Sequence, residues 1–200
     1  MTPVFLAAPP DGPAYTDVVH MASQAPDWLD DAIAVWSAYG LLVFAVLMVL
    51  GWWRARRTGS RAALVALAVP VIVVLSYAVD SVLKSIAHEN RPCQGAHVAT
   101  LEACPAAGDW SFPSNHATIA AASAVALFFV SRGLGLIASA AALMMAASRV
   151  WVGVHYPHDV VAGLLVGALV AAGAVALLRR RLDTLAPRME TTPLRRLLLR

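Results

Sequence analysis

Apolar positions gather into five long runs along the chain, at residues 32–53, 62–83, 117–131, 134–152 and 160–178, each closed off by charge or by a helix breaker. Several of these runs approach the roughly 20 residues a helix needs to cross a bilayer's hydrocarbon core, so the pattern predicts membrane-spanning helices. The third run is short for a full crossing. Residues 15–31, ahead of the first run, are mixed in polarity, with Trp28 and Leu29 among acids, and read as an interfacial helix or loop. The expected fold is an all-α integral membrane protein with about five transmembrane helices in a helical bundle, plus an N-terminal interfacial segment. A single membrane-embedded domain is expected over residues 1–200, with 1–31 as the external interfacial segment and 179–200 as a basic cytoplasmic tail.

Composition supports this pattern: hydrophobic residues make up 60% of the chain and charged residues 14%, against roughly 25% charged in a soluble domain. The opening residues MTPVFLAAPP lack the basic n-region and full apolar core of a cleavable signal peptide, so the first hydrophobic span is expected to direct insertion itself. The formal net charge of +3 does not point to nucleic acid, because the basic residues come in short blocks between apolar runs.

Those blocks set an orientation. Arg54, Arg56, Arg57 and Arg61 follow the first run, Arg132 follows the third, and Arg179, Arg180, Arg181, Arg188, Arg195, Arg196 and Arg200 follow the fifth. Cytoplasmic flanks of membrane helices retain Lys and Arg, so these stretches are expected inside the cell. The N-terminal stretch carries Asp11, Asp17, Asp27, Asp30 and Asp31 and no basic residue, which predicts an external N-terminus and a cytoplasmic C-terminus. Lys84, Arg91 and Arg149 are then left on the external side. Snorkelling at a helix end would account for any one of them, but all three together call for a function.

Three short segments converge on that outer face. Residues 84–92 offer Lys84 and Arg91, with Pro92 turning the chain. Residues 111–116 offer Ser114 as a helix N-cap, backbone N–H groups suited to an anion, and His116. Residues 148–159 offer Arg149, His155 and Asp159. These residue types suit phosphoryl transfer, in which cations surround the equatorial oxygens and positioning supplies most of the catalysis. A histidine attacks phosphorus best when a carboxylate holds its other ring nitrogen, as Asp159 would hold His155; a second histidine, His116, would protonate the leaving oxygen and later activate water.

The segments resemble the three signature motifs of the type 2 phosphatidic acid phosphatase superfamily: Lys, six residues, Arg-Pro; then Pro-Ser-Gly-His; then Ser-Arg, five residues, His, three residues, Asp. The resemblance covers roughly residues 84–159. It implies a helical fold and a reaction through a phosphohistidine without metal or cofactor. His155 would be the nucleophile, Asp159 its orienting partner and His116 the general acid and base, with Lys84, Arg91, Ser114 and Arg149 on the phosphate. One position departs from the pattern: Asn115 stands where the motif has glycine. Asn tolerates unusual backbone angles better than most residues, and its side chain would lie beside the phosphate, where it could touch a second phosphate or a head group.

Residues 25–31, Tyr39-Gly40 and the run at 148–157 look most like the bacterial undecaprenyl-diphosphatase branch. That likeness implies removal of one phosphate from undecaprenyl diphosphate in the bacterial plasma membrane, with the substrate tail held in the bilayer. Phosphatidic acid, phosphatidylglycerol phosphate and a polyprenyl-phosphoryl sugar phosphate are the alternative substrates. An anion or proton-coupled transporter would spread ionisable groups through the bilayer depth, and a vanadium-dependent haloperoxidase would not need five spans. The sequence is silent on oligomeric state.

The remaining polar residues take plainer readings. Asp80, four residues before Lys84, is expected to pair with it along the helix. Cys93 and Cys104 are both in the expected external loop and are either bridged or free; with His97 they make an incomplete zinc set. His20, His88, His97 and His158 read as surface or hydrogen-bonding residues, Asp109 and Trp110 as residues of the site entrance, and Trp52, Trp53 and Trp151 as interface anchors.

Overall fold

Helix boundaries follow the breakers and caps along the chain. In the computed structural model, which describes residues 11–95 and 100–192, α1 spans Gly12–Ser23, α2 Asp27–Tyr39, α3 Leu41–Ala55, α4 Ser60–Ala87, α5 Pro92–Gly95, α6 Asn115–Val130, α7 Arg132–Trp151 and α8 Pro157–Glu190. No strand occurs among the described residues. The opening MTPVFLAAPP stretch, His97, Arg195, Arg196 and Arg200 lie outside them. Pro13 sits in the first turn of α1, and Pro157 begins α8, where a missing N–H costs nothing.

The five apolar runs are all helical. α4, α7 and α8 are long and apolar enough to cross a membrane. The first run is broken: α2 and α3 meet at Gly40 with a bend of 53°, and only when taken together are they long and apolar enough for a crossing. A continuous apolar run carried no sign of this bend. α6 has 16 residues and lies at the centre of the bundle, against α3, α4, α7 and α8. Surrounded by protein, it does not need the length of a lipid-facing span. The chain is a multi-pass membrane protein built only of helices among its described residues.

Small side chains let these helices approach. α6 buries Ala117, Ala120, Ala122 and Ala126 completely. Opposite them, Gly163 and Gly167 lie one turn apart on α8. A Cβ at Gly163 would come within 2.6 Å of Ser114 O, and one at Gly167 would collide with Thr118 O. Lipid tails are as apolar as leucine, so close backbone packing of this kind, not water exclusion, holds membrane helices together. Phe44, Leu47, Val69, Leu127, Leu134, Met145 and Val175 belong to the main apolar core.

Connections of a few residues make α3 and α4, α6 and α7, and α7 and α8 run antiparallel in pairs. The basic blocks therefore collect at one end, where Arg57 lies 3.7 Å over the Trp53 ring and Arg179 lies 5.6 Å over Phe129. The three motif segments collect at the other end. α1 packs there against α7, with Tyr15 and Val19 buried, and the Tyr15 hydroxyl donates to Gly153 O at 3.0 Å.

Cys93 and Cys104 are joined in a disulfide. The expected Asp80–Lys84 ion pair does not form. Asp80, fully buried, accepts instead from Thr118 Oγ1 at 2.7 Å, and Lys84 Nζ donates to Trp110 O at 2.8 Å. The loop after α4 folds back over the end of that helix and offers the lysine a carbonyl.

Candidate active site

The last turns of α4 and α7 and the first turns of α6 and α8 meet at one end of the bundle. They carry Lys84, Arg149, the Ser114–His116 step and Asp159; the connecting loops add Arg91 and His155. Gly153, at φ 85°, turns the chain out of α7 two residues before His155. The site's charge is almost entirely buried: Lys84, Arg91, Arg149, His155 and Asp159 are each 8% exposed or less. Charges this deep are held by partners or by function.

His155 and Asp159 lie four residues apart across the start of α8. Nδ1 of His155 is 3.1 Å from Asp159 Oδ2. Nε2 is 3.0 Å from Nη1 of Arg91, and a guanidinium nitrogen only donates. Nε2 is therefore the bare nitrogen, and Nδ1 carries the proton toward Asp159. Burial pushes the imidazole down to about 3, against the pull of Asp159 in the other direction. Near neutral pH, His155 is thus an uncharged base with its lone pair on Nε2. Asp159 Oδ2 also accepts the Tyr156 N–H at 2.8 Å and the Ser111 hydroxyl.

Each cation is already engaged. Arg91 donates from Nη2 to Asp109 Oδ1 at 3.0 Å, from Nε to Asp109 O at 2.9 Å, and from Nη1 to Val154 O at 3.1 Å. Arg149 Nη1 donates to the Ser37 hydroxyl and reaches both Glu102 oxygens, at 3.0 and 3.2 Å. Four buried polar atoms of this group have no hydrogen-bond partner among the described residues: Ser114 Oγ, Arg149 Nε, Asn115 Oδ1 and Asp159 Oδ1, the last 3.3 Å from His158 Nε2. The first two are donors, and exchanging the amide ends of Asn115 would present a third. Unmet donors beside paired cations are what an anion would satisfy.

Ser114 stands at the N-cap position of α6, yet its hydroxyl makes no cap bond; its backbone N–H donates to Asp159 O at 3.0 Å. Asn115 is the first residue of α6 and has no positive φ, so a glycine's freedom is not required there. His116, in the same turn, lies within electrostatic reach of Arg149, Glu102, Arg91 and Lys84. All eight predicted site residues thus fall in one neighbourhood.

Four further residues join the site without having been assigned to it from the sequence: Ser111, Ser37, Glu102 and, as a direct partner of Arg91, Asp109. Ser111 stood at the edge of the second motif, and Asp109 was read only as part of the entrance. Nothing local distinguished Glu102, or Ser37 within an apolar run. His158 is hydrogen-bonded at both ring nitrogens, to Asp11 Oδ1 at 2.8 Å and Glu89 Oε1 at 2.9 Å. Glu89, His158 and Asp159 place one ligand atom each within 4.8 Å of one another, the one such metal-competent group among the described residues, but its histidine nitrogens are already bonded to carboxylates.

Comparison with known proteins agrees with this geometry. The family profile of the PAP2 superfamily matches residues 65–183. The undecaprenyl-diphosphatase BcrC of Bacillus subtilis is 32% identical over 152 residues, 76% of each chain. The decaprenylphosphoryl-5-phosphoribose phosphatase of Mycobacterium tuberculosis is 34% identical over 66% of this chain and 68% of its own. In three dimensions, LpxE of Aquifex aeolicus superposes with a TM-score of 0.68 at 20% identity, covering 86% of this chain and 99% of that one. The chain belongs to the PAP2 superfamily. It is a membrane lipid phosphatase, a hydrolase of that superfamily.

Proposed function

We propose that this phosphatase removes the terminal phosphate of a polyprenyl diphosphate, converting undecaprenyl diphosphate to undecaprenyl phosphate through a phosphohistidine at His155. The observation that carries the chemistry is the neutral His155, bonded through Nδ1 to a buried Asp159 and presenting the bare Nε2 to Arg91. The substrate class rests on the similarity to BcrC over three quarters of the chain.

As substrate binds, Arg91 turns from Nε2 to a phosphate oxygen, and Lys84, Arg149, Ser114 Oγ and the α6 N-terminus take the others. The Nε2 lone pair attacks the terminal phosphorus, forming the N–P bond as the bridging P–O bond breaks. His116, protonated from solvent once the phosphate's negative charge lies beside it, gives that proton to the departing lipid phosphate. Neutral His116 then takes a proton from water, whose oxygen displaces Nε2 and releases inorganic phosphate. Asp159 offsets the imidazolium charge that develops on His155 in both steps. Asn115, in the same turn as His116, touches the phosphate that stays with the lipid.

The retention of basic residues at the opposite end of the bundle orients the site toward the extracytoplasmic side of a bacterial plasma membrane, with the C-terminus cytoplasmic. Cysteine scanning with an impermeant thiol reagent on intact cells tests this.

A panel of polyprenyl diphosphates, phosphatidic acid, phosphatidylglycerol phosphate and a polyprenyl-phosphoryl sugar phosphate, offered to purified protein, tests the substrate. The Mycobacterium relative makes the last compound the second reading. Polyprenyl diphosphate should be turned over fastest, with or without chelator, and a preference for any other member would refute the assignment. An acid-labile phosphoenzyme should form in the wild type and be absent in His155→Ala. Asn115→Gly should shift the ranking of diphosphate against monophosphate lipids.

A further inference from the structure

An apolar groove of about 470 Å³ runs between α2 and α7, within the roughly 300–1,000 Å³ usual for ligand sites. Its walls include Ile33 and Trp36 from α2 and Met144, Ala147, Ser148 and Trp151 from α7. Ala147 and Met144 are exposed, so the groove opens toward the lipid side.

Its inner wall is continuous with the phosphate site. Ser148 lines the groove and is followed by Arg149; Trp36 lines it and is followed by Ser37; and Arg149 Nη1 is bonded to the Ser37 hydroxyl. Near the motif end, Trp151 Nε1 donates to Asp30 Oδ1 at 2.8 Å and ties the two helices together. Trp36 Nε1 is buried there without a partner among the described residues. A second apolar groove, of about 320 Å³, lies between α3 and α4 beside Met48, Trp52, Leu67 and Pro70. Trp52 packs under Arg56 at the basic end of the bundle, far from the motifs.

We propose that the α2/α7 groove seats the phosphate-proximal isoprene units of the substrate's prenyl chain. This rests on the reading of the protein as a polyprenyl-diphosphate phosphatase. A lipid whose phosphate is held at Arg149 emerges beside Ser148 and Trp36, and the groove is the apolar surface it meets first. Aromatic walls and a methionine suit an unsaturated branched chain, whose shape is irregular and whose double bonds lie well against ring faces. The bend at Gly40 keeps α2 inclined to α3, so the groove belongs to the outer half of the bundle, where the head group binds.

The test uses the full chain in lipid nanodiscs and a polyprenyl diphosphate with a methylene-bridged head group and a diazirine on its first isoprene unit. Irradiation should label the peptides around Trp36 and Ala147, and unlabelled substrate should suppress that labelling. Equal labelling of the peptides around Met48 and Leu67, or labelling that substrate does not suppress, would mean only bulk lipid contact and overturn the proposal. Independently, Ala147→Trp should lower the ratio of kcat/KM for a prenyl diphosphate over methyl diphosphate, which carries no isoprene unit, at least tenfold, whereas Ala45→Trp, in the wall of the second groove, should leave it unchanged. An unchanged ratio in Ala147→Trp also overturns the proposal. If the wild type turns over no prenyl diphosphate, the substrate reading itself fails, a result distinct from either outcome.

Discussion

Replacing Ser111 by alanine isolates one of three donors that hold the carboxylate behind the proposed nucleophile. Ser111 is fully buried, and its hydroxyl donates to Asp159 Oδ2, which also takes the N–H of Tyr156 at 2.8 Å and faces His155 Nδ1 at 3.1 Å. Two effects oppose each other in the variant. Losing a donor leaves the carboxylate more basic, which strengthens its grip on the His155 proton. It also frees Asp159 to rotate toward His158, whose Nε2 already lies 3.3 Å from the other oxygen, Oδ1. A hydrogen bond to a charged group contributes about 1.5–3 kcal/mol. The two remaining donors retain part of that, so about 1.4 kcal/mol should be lost in the transition state, a roughly tenfold fall in kcat. KM should stay within about twofold, because Ser111 contacts the Nδ1 side of His155 and the phosphate meets Nε2. Phosphate release by purified protein in detergent, with thermal unfolding alongside, measures both. A kcat within twofold of wild type at unchanged Tm, or a loss expressed wholly in KM, would refute the positioning role.

Three further outcomes follow from the same geometry. Arg149→Lys keeps one nitrogen for Ser37 and Glu102 but loses the unmet Nε donor, and kcat/KM should fall about 10- to 100-fold; retention of wild-type kcat/KM would remove Arg149 from the phosphate site. Because the folded-state pKa of His155 is depressed to about 3 from 6.5, its contribution to stability is present above pH 6.5 and is lost as pH falls toward 3. The slope approaches about 1.4 kcal/mol per pH unit; His155→Asn should flatten the acid limb of a Tm-against-pH curve, and an unchanged limb would count against a neutral buried imidazole. Gly167→Val should destabilise the fold by about 1–3 kcal/mol, since its Cβ would strike Thr118 O; an unaltered Tm in detergent would show that α6 and α8 are not in backbone contact.

The site was legible in the sequence to the extent that its chemistry is carried by short motifs. Lys84, Arg91, Ser114–His116, Arg149, His155 and Asp159 stand at helix ends, and alternating antiparallel helices bring those ends together. The arginine blocks were visible for a related reason, since charge next to an apolar run has few places to go. Asp80 shows the opposite case: four residues from Lys84, it satisfied a local rule, but Thr118 from a different helix was the better partner inside the bundle. Ser37 and Glu102 left no local signal because each matters only through Arg149.

What the sequence alone determined was the solvent, the helical class and the chemical repertoire, because hydropathy and motif spacing are one-dimensional properties. The tertiary structure decided the bend at Gly40, the central position of the short α6, the packing of Gly163 and Gly167 against its backbone and the Cys93–Cys104 bridge. It also decided which nitrogen of His155 is bare, and which apolar surface adjoins Arg149. Most of these depend on contacts between residues far apart in the chain. Periodicity and composition report only a residue's neighbours along one helix, and these contacts lie between helices.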